Sequence, residues 1–374
     1  MTQDAAFPSE KPIETEDNFW GTLGFRAAGC ANCQKAYLVK ASPDTAVLCP
    51  NCCVANLVAQ PAYLRREPPE LIIPFNLKAE NIRITLEKFV NEVWLRPDDC
   101  NTDILVQRIQ PVFFPMWLID CNIYGIWEAE AGFTYHVKSS QEFFSHGQWQ
   151  TREEIEERVR WEKRTGQISR CYENVPVPAT QDYPELIRQI GAYALDTAQP
   201  FEPKWLNAAI IRIPDESDQN SWYAAQSTLD KKAAQECQQA AGAQYQRSFS
   251  LTAEYRSPNW TQLLLPVYIT YYTADNGQRQ QIFINGQNGK VGGVRLASQR
   301  KGWQLAGIAF GTALLLAILG ALTMLITPLV PPIGIIGIIL LFLALCAGVA
   351  AIIPVVYPWQ WNRRQLPLKI SRSE

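Results

Sequence analysis

Four cysteines near the N-terminus carry the clearest chemical signal in the sequence. Cys30 and Cys33 form one C-x-x-C pair, Cys49 and Cys52 form a second, and fifteen residues separate the pairs. Each pair offers two thiolates to one ion, and two pairs complete a tetrahedral sulfur shell. The spacing is typical of four-cysteine zinc ribbons and predicts a structural Zn²⁺ site, with two chance pairs or a redox pair as the alternatives.

The neighbouring Cys53 bears on the choice of ligands. It stands directly after the second pair, where ribbons usually have glycine for a backbone turn, and it could compete as a ligand. The spacing favours Cys52. A closed four-thiolate site leaves no open position for water or substrate, which argues against zinc catalysis. The predicted ribbon, residues 25–60, is too short to build a hydrophobic core. Metal binding would therefore supply the free energy that folds it.

Other residues that could do chemistry form no catalytic pattern. The sequence has two histidines, His136 and His146, and neither belongs to a triad or metal motif. The acidic clusters at 98–99 and 153–157 fit a solvated face better than acid–base chemistry, which needs two carboxylates in distinct environments. The segment 286–290 lacks the spacing of a phosphate loop and fits a β-turn. The sequence therefore predicts a protein that is not an enzyme.

A long apolar stretch near the C-terminus must position everything else. Residues 302–361 contain no Asp, Glu, Lys or Arg. Two runs in this stretch, about 303–326 and 333–357, are each long enough to cross a hydrocarbon core as a helix. The link between them is short and uncharged, which predicts a transmembrane hairpin. The alternative is a buried helical pair in a soluble protein.

Basic residues on both sides of the hairpin predict its orientation. The positive-inside rule then places both termini in the cytoplasm of a cell-membrane protein with two helices, and Trp303, Tyr357, Trp359 and Trp361 form an aromatic belt. A small basic collar of this kind suits a body held near an anionic leaflet. The flanking basic residues are Arg295, Arg300, Lys301, Arg363 and Arg364.

One helix of the hairpin carries a close-packing motif. Gly307 and Gly311 form a GxxxG pair, which would let another helix approach closely. That neighbour is either a second chain or the hairpin's own second helix.

Charge makes nucleic acid an unlikely ligand. The chain has 34 basic and 36 acidic residues, and four basic and one acidic residue follow Trp361. Residues 1–301 therefore hold 30 basic and 35 acidic residues, since none lies in the hairpin. This net charge of −5 lacks the electrostatic footprint of a nucleic-acid binder.

The remaining chain divides by pattern into an α+β protein. The predicted segments are a disordered N-terminal lead (1–24), a linker (61–70), a β-rich cytoplasmic body (71–298), the hairpin (299–361) and a basic tail (362–374). Within the body, helices are predicted at 76–95, 183–195 and 227–246, the last as a poorly anchored surface helix. Strands are predicted from Ile104 onward, with a hairpin of 263–273 and 280–285 across Asp275-Asn276-Gly277. Residues 151–164 are ambiguous, with strand favoured for the second half.

Several motifs together resemble a known family. The two C-x-x-C pairs, the segments 111–117 and 175–179, Leu265–Tyr268, and the strand–turn 284–291 before the membrane helices occur in an order similar to that of bacterial membrane proteins with a transcription-factor-IIB-type zinc ribbon. The family is largely uncharacterised. The resemblance implies a role beside flotillin-like or phage-shock-type proteins at the membrane. Cys53 and the Gln-rich region 226–246 depart from the family pattern.

The sequence therefore predicts a membrane-anchored, non-enzymatic adaptor or scaffold. A structural ribbon and an α+β body would present a protein-binding surface, and the hairpin would hold that surface at the bilayer. A membrane-tethered nucleic-acid binder is the alternative, and an enzyme or transporter component with an unrecognised site is a third possibility.

Overall fold

The computed structural model describes residues 19–40, 46–62, 64–65, 67–145, 147–206, 209–326 and 332–365. Most of the predicted disordered lead, the predicted outer loop at 327–331 and the tail from residue 366 lie outside the described residues. The predicted lead also included 19–24, and here the structure differs. Residues Phe19–Thr22 form helix α1, and Trp20 is buried against Phe25.

The described residues form one large mixed sheet with helices around it, which confirms the α+β class. The strands are β1 (Phe25–Cys30), β2 (Ala36–Lys40), β3 (Leu57–Ala59), β4 (Leu71–Ile72), β5 (Gln110–Ser145), β6 (Gln148–Pro178), β7 (Gln199–Pro200), β8 (Ile210–Arg212), β9 (Tyr245–Thr273), β10 (Arg279–Asn285) and β11 (Val291–Gly293). The main path of the sheet runs β11-β10-β9-β5-β8-β2-β1-β3, with β6 beside β5.

Eight helices accompany these strands in the described part of the chain. The helices after α1 are α2 (Ala79–Asn91), α3 (Thr102–Gln107), α4 (Tyr183–Ile190), α5 (Asp218–Ala240), α6 (Gln299–Ile326), α7 (Ile333–Ala350) and α8 (Ile353–Gln365).

The centre of the sheet is the antiparallel pair of β5 and β9. Val112 lies opposite Val267, and Phe113 lies opposite Pro266. All the apolar residues of these two segments, 112–114 and 263–267, are buried. The two segments have similar sequences, and the structure shows that they are partners in one ladder. The predicted hairpin is confirmed beside them, since Thr273 pairs with Arg279 across the Asp275–Gly277 turn.

Three strands continue past the body to form a long extension. Strand β5 has 36 residues, and a straight strand of that length spans about 120 Å. β6 pairs with β5 out to the Ser145/Gln148 turn, and β9 pairs with β5 from the body as far as Gly132 and Tyr245. We call residues 120–145, 148–174 and 245–259 the arm. Beyond Gly132 the arm is two-stranded.

Several predicted elements differ from those observed. Residues 151–164 are strand throughout, because they pair in register with β5. Residues 104–107 belong to helix α3, because Asn101 accepts the Asp103 N–H at 2.9 Å and caps that helix. The predicted start of β structure at Ile104 was therefore early.

Helix α5 is both longer and better anchored than predicted. It starts at Asp218 because the Ser217 hydroxyl accepts the Asn220 N–H at 3.2 Å. Ala225, Leu229, Ala233 and Cys237 are buried against the base of the arm. The prediction of a poorly anchored surface helix was wrong, since small residues here allow close packing of the helix on the sheet.

Two C-terminal helical spans are long and apolar enough to cross a membrane, as predicted. The second span is not one continuous helix. It breaks at residues 351–352, and α8 begins at Ile353, directly before Pro354. A proline cannot donate the backbone hydrogen bond that continues a helix, which explains the break.

The helices of the hairpin touch at a glycine pair, and this pair is not the GxxxG motif. A Cβ on Gly320 would lie 3.2 Å from the Gly337 carbonyl, and a Cβ on Gly337 would lie 2.7 Å from the Thr323 hydroxyl. Gly307 and Gly311 have no atom within 4 Å of the corresponding position. Within the described residues, the GxxxG motif does not mediate packing inside the hairpin.

Candidate functional site

Two matching turns bring the four cysteines together. Cys30 ends β1, and the Gln34 N–H donates to the Cys30 carbonyl at 2.9 Å, with Gln34 at φ +58°. The second turn repeats this geometry, since the Cys53 N–H donates to the Cys49 carbonyl at 2.9 Å and Cys53 has φ +55°. Each C-x-x-C pair is therefore followed by one residue in the left-handed region, which folds both thiols of the pair to one side.

The thiol geometry fits a tetrahedral metal ion. All four Sγ atoms lie within 4.8 Å of one another. Cys30 Sγ lies 3.5 Å from Cys52 Sγ, and Cys33 Sγ lies 3.6 Å from Cys49 Sγ. A Zn–S bond of about 2.3 Å gives tetrahedral S···S edges of about 3.8 Å. The predicted cluster is confirmed as a group of four cysteines that could hold a metal ion.

Cys53 lies next to this cluster but has a different role in the structure. Its thiol is buried and faces the Pro50 carbonyl at 3.5 Å. Its backbone occupies the left-handed conformation that glycine adopts without cost. Cys53 thus stands at the glycine position of the turn, and the four-cysteine group includes Cys52 instead.

Burial and backbone donors act in opposite directions on the cysteines. Burial would raise the pKa of Cys52, but the backbone N–H groups of Ala55 and Val54 outweigh it and lower the pKa to about 6. Burial raises the pKa of Cys49 well above its usual range. The thiolate is the form that binds metal, so the backbone N–H groups around Cys52 favour the binding form of that residue.

The body of the protein braces the second turn. The Gln281 side chain donates to the Pro50 carbonyl at 2.8 Å, and Arg279 donates to the Cys53 carbonyl. Gln110 donates to the Leu48 carbonyl at 3.2 Å. The sequence did not predict these contacts, because nothing in the local patterns of β5 and β10 shows that their side chains reach residues 48–53.

The predicted ribbon is continuous with the body sheet. Strand β2 pairs with β8, with Tyr37 opposite Arg212 and Leu38 opposite Ile211. The Arg212 side chain is fully buried, lies over the Tyr37 ring at 5.0 Å and contacts Asp215 at 2.6 Å. The same Asp215 binds Lys35 at 2.5 Å. Residues 25–60, predicted as a separate unit before a linker, therefore share their sheet and their ion pairs with the body.

The body also contacts the two apolar helical spans at a junction. The Asn362 side chain accepts the Ala297 N–H at 2.7 Å and donates to the Ala297 carbonyl at 2.9 Å. The Trp361 indole donates to the Arg295 carbonyl at 2.7 Å. The Tyr357 ring meets the Trp94 ring edge-on at 5.4 Å between centroids. The sequence predicted Trp361 and Tyr357 in an aromatic belt, and the structure adds that both contact the body.

Three of the five predicted membrane-flanking basic residues are paired with acids of the body. Arg295 lies 2.9 Å from Glu92, Arg300 lies 2.9 Å from Asp98, and Lys301 lies 2.7 Å from Asp98. Arg363 and Arg364 lie in the last turn of α8, and both are exposed. The basic collar thus contributes to the junction as well as to the charge near the predicted membrane surface.

Helix α6 is also capped by the body. The Asp275 carboxylate accepts the Arg300 N–H at 3.0 Å and the Ser298 hydroxyl at 2.8 Å. Asp275 belongs to the β9–β10 turn, so the sheet ends directly on the first turn of α6. A carboxylate at a helix N-terminus is also favoured by the helix dipole.

Comparison with known proteins gives no relative from which to infer a function. A scan against protein-family models finds no match, and searches of curated proteins and of solved structures find none either.

Proposed function

We propose that this chain is a non-enzymatic membrane scaffold that holds a rigid β-sheet body at the cytoplasmic face of a cell membrane. The observation that carries the proposal is the junction. Asn362, Trp361 and Tyr357 contact the body after the second apolar span, and Asp275 caps the first. Both ends of the anchor are thus fixed to one sheet, so the arm and the ribbon have a defined orientation to the bilayer.

The metal centre has a structural role in this proposal. Four thiolates suit a soft or borderline ion, and a tetrahedral sulfur site is typical of Zn²⁺ or of iron. We assign Zn²⁺, because the site closes a short ribbon with no further donor. Zn²⁺ would fix the turn at 49–53 against β10 and leave no open position for catalysis.

The partner that we propose is a peripheral membrane protein. A body fastened at both ends of its anchor can recruit a protein that lacks membrane segments of its own. The resemblance of the sequence motifs suggests a flotillin-like or phage-shock-type protein. Nucleic acid is the weaker choice, because residues 1–301 carry a net charge of −5.

Cross-linking in intact cells followed by fractionation tests this function. We expect a peripheral protein to cross-link to the chain, and its membrane-bound fraction to fall severalfold in cells that lack the chain. The wild-type chain should restore that fraction, whereas a chain ending at Ser298 should not. An unrelated integral membrane protein serves as the fractionation control. The proposal is wrong if the cross-linked protein stays on the membrane without the chain, or if no peripheral protein is cross-linked.

A further inference from the structure

The outer half of strand β6 has an open edge. From Gln148 to Gly166 it pairs with β5 on one side, and the described residues place no strand on its other side. The pairing is regular there, since the irregularity in the β5–β6 ladder lies far away, at Ile119/Cys121. Most residues of this segment are exposed. An open edge with unpaired N–H and C=O groups is a template for another strand.

On one face of this part of β6, six successive side chains are all charged. Side chains two residues apart point to the same face of a strand, so the even-numbered residues share one face. Their signs from 152 to 162 are plus, minus, minus, plus, plus, minus. The residues are Arg152, Glu154, Glu156, Arg158, Arg160 and Glu162.

We propose that this edge binds a second copy of the chain by antiparallel pairing of β6 with β6, about a two-fold axis at Glu157. An axis perpendicular to the sheet keeps the same face up in both copies. Each residue then lies opposite the one at equal distance on the other side of Glu157. Glu156 meets Arg158, Glu154 meets Arg160, and Arg152 meets Glu162 of the other copy. Every charged residue from 152 to 162 on this face thus meets its opposite.

Neighbouring registers do not have this property. An axis at Arg158 places Arg158 against itself, Glu154 against Glu162, and Arg152 against Arg164. An axis centred on Glu156 places Glu156 against itself and Arg152 against Arg160. Like charges directly opposite each other destabilise a sheet, whereas opposite charges stabilise it. The charge order therefore selects one register.

The other face of the edge agrees with the same register. Ile155 is 65% exposed and Val159 is 37% exposed on a two-stranded ribbon that has no core of its own. The axis at Glu157 places Ile155 directly opposite Val159 of the second copy, twice in each dimer. In this register, the only pair of like charges is Glu157 with Glu157 of the second copy, at the axis.

Contacts within one chain do not account for the order of charges. Arg158 binds Glu156 at 2.8 Å, and Arg160 binds Glu162 at 2.7 Å, along the same strand. Such exposed neighbours form pairs in many sign orders and do not need antisymmetry about Glu157. Helix α5 does not block the edge, because its contact with the strand at Arg170 and Glu236 lies beyond the paired segment.

This inference goes beyond the scaffold function. The purified chain can dimerise without any peripheral partner, and a partner can bind a monomer. A failure of one proposal therefore leaves the other standing.

A charge exchange in the purified full-length protein tests the register. We expect Glu154→Arg alone and Arg160→Glu alone to weaken dimerisation about ten- to thirtyfold, because each turns two opposite pairs into like pairs. The double variant should restore dimerisation. Glu154 and Arg160 are six residues apart on one strand, too far to contact each other, so rescue can only arise between copies. Mass photometry in lipid nanodiscs and sedimentation in detergent measure the dimer.

A disulfide at the axis gives a second and independent readout. Glu157→Cys places two thiols opposite each other, at Cβ atoms about 4.5–5.5 Å apart, so mild oxidation should yield a covalent dimer. Glu153→Cys is the matched control, because it lies opposite Trp161 and far from its own copy. The wild-type chain, which has an exposed Cys171, sets the background.

Three outcomes would overturn the proposal. A monomeric wild-type chain at all accessible concentrations is the first. A dimer whose affinity is insensitive to both single charge reversals is the second, and it would place the interface elsewhere, for example at Gly307 and Gly311. Equal cross-linking at positions 153 and 157 is the third. Loss of dimer in the single variants, recovery in the double variant and selective cross-linking at 157 support it.

Discussion

At the scale of single residues, the backbone decides which cysteines form the four-thiol group that could hold a metal ion. The backbone geometry gives Cys53 the left-handed position after the second pair and leaves Cys52 in the four-thiol group. A glycine would occupy that position without strain, so the cysteine there is unfavourable for the turn by about 1 kcal/mol.

The first prediction separates Cys52 from Cys53. Cys52→Ser should lose the bound metal and destabilise the ribbon, because the remaining three thiolates no longer close the site. Cys53→Gly should keep one metal ion per chain and change the free energy of unfolding by about 1 kcal/mol or less. Elemental analysis of the purified protein gives the stoichiometry. Loss of metal in Cys53→Gly with retention in Cys52→Ser would reverse the assignment.

A second prediction at this scale concerns Asn362. Its side chain serves both the N–H and the carbonyl of Ala297, so Asn362→Ala leaves two partly buried polar groups without partners. We expect a loss of about 2 kcal/mol in the stability of the body–anchor junction. Limited proteolysis in detergent measures it as faster cleavage between the sheet and α6. Asn259→Ala, on the exposed arm, is the control, and equal cleavage of both variants would contradict the prediction.

A third prediction at this scale uses pH. Burial disfavours the charged form of Asp99, but Arg108 at 2.7 Å and the Thr273 N–H at 2.6 Å outweigh it and lower the pKa of Asp99. The ionised Asp99 therefore stabilises the folded state fully above the pKa that its carboxyl has in the unfolded chain, about 3.9. This stabilisation is lost as the pH falls from there through the lower pKa of Asp99 in the folded state. Thermal unfolding between pH 2 and 5 should show a flatter acid limb for Asp99→Asn than for the wild type. Identical acid limbs would contradict it.

At the scale of elements, helices α6 and α7 pack closely at a glycine pair. Gly320 and Gly337 meet with no room for a side chain, whereas Gly307 and Gly311 face open space in the described structure. The sequence motif alone drew attention to the wrong pair for packing within the hairpin.

This contact yields a fourth prediction. Gly337→Leu should separate α6 from α7 and cost a few kcal/mol, because a larger side chain there collides with Thr323 and the α6 backbone. Gly307→Leu is the matched control and should leave the fold of one chain unchanged. Thermal stability in a fixed detergent compares them. Equal loss in both variants would show that the packing has been assigned to the wrong helix face.

At the scale of the whole molecule, the sheet contacts both apolar helical spans. The β9–β10 turn caps α6, and α8 returns to the body through Asn362 and Trp361. The arm lies at the far end of β5 and β9 from this junction. Any partner or second copy that binds the arm is therefore held at a set distance from the anchor.

The fifth prediction is the side of the membrane on which the body lies. If both termini are cytoplasmic, a membrane-impermeant maleimide should label the exposed Cys171 only after cells are permeabilised. Cys171→Ser removes the label and serves as the control. Labelling of intact cells to the same extent would place the body outside the cytoplasm.

The sequence by itself determined the features whose physics is local. The C-x-x-C spacing brings thiolates together through single turns, the charge-free stretch can only satisfy its backbone as helices, and the Asp275–Gly277 turn specifies its own hairpin. Only the tertiary structure decided which surfaces meet. β2 joins β8 across more than 160 residues of chain, and Asn362 meets Ala297 although two long apolar helical spans separate them in the sequence. Such contacts arise from packing and strand register, and neither leaves a periodic trace in the sequence.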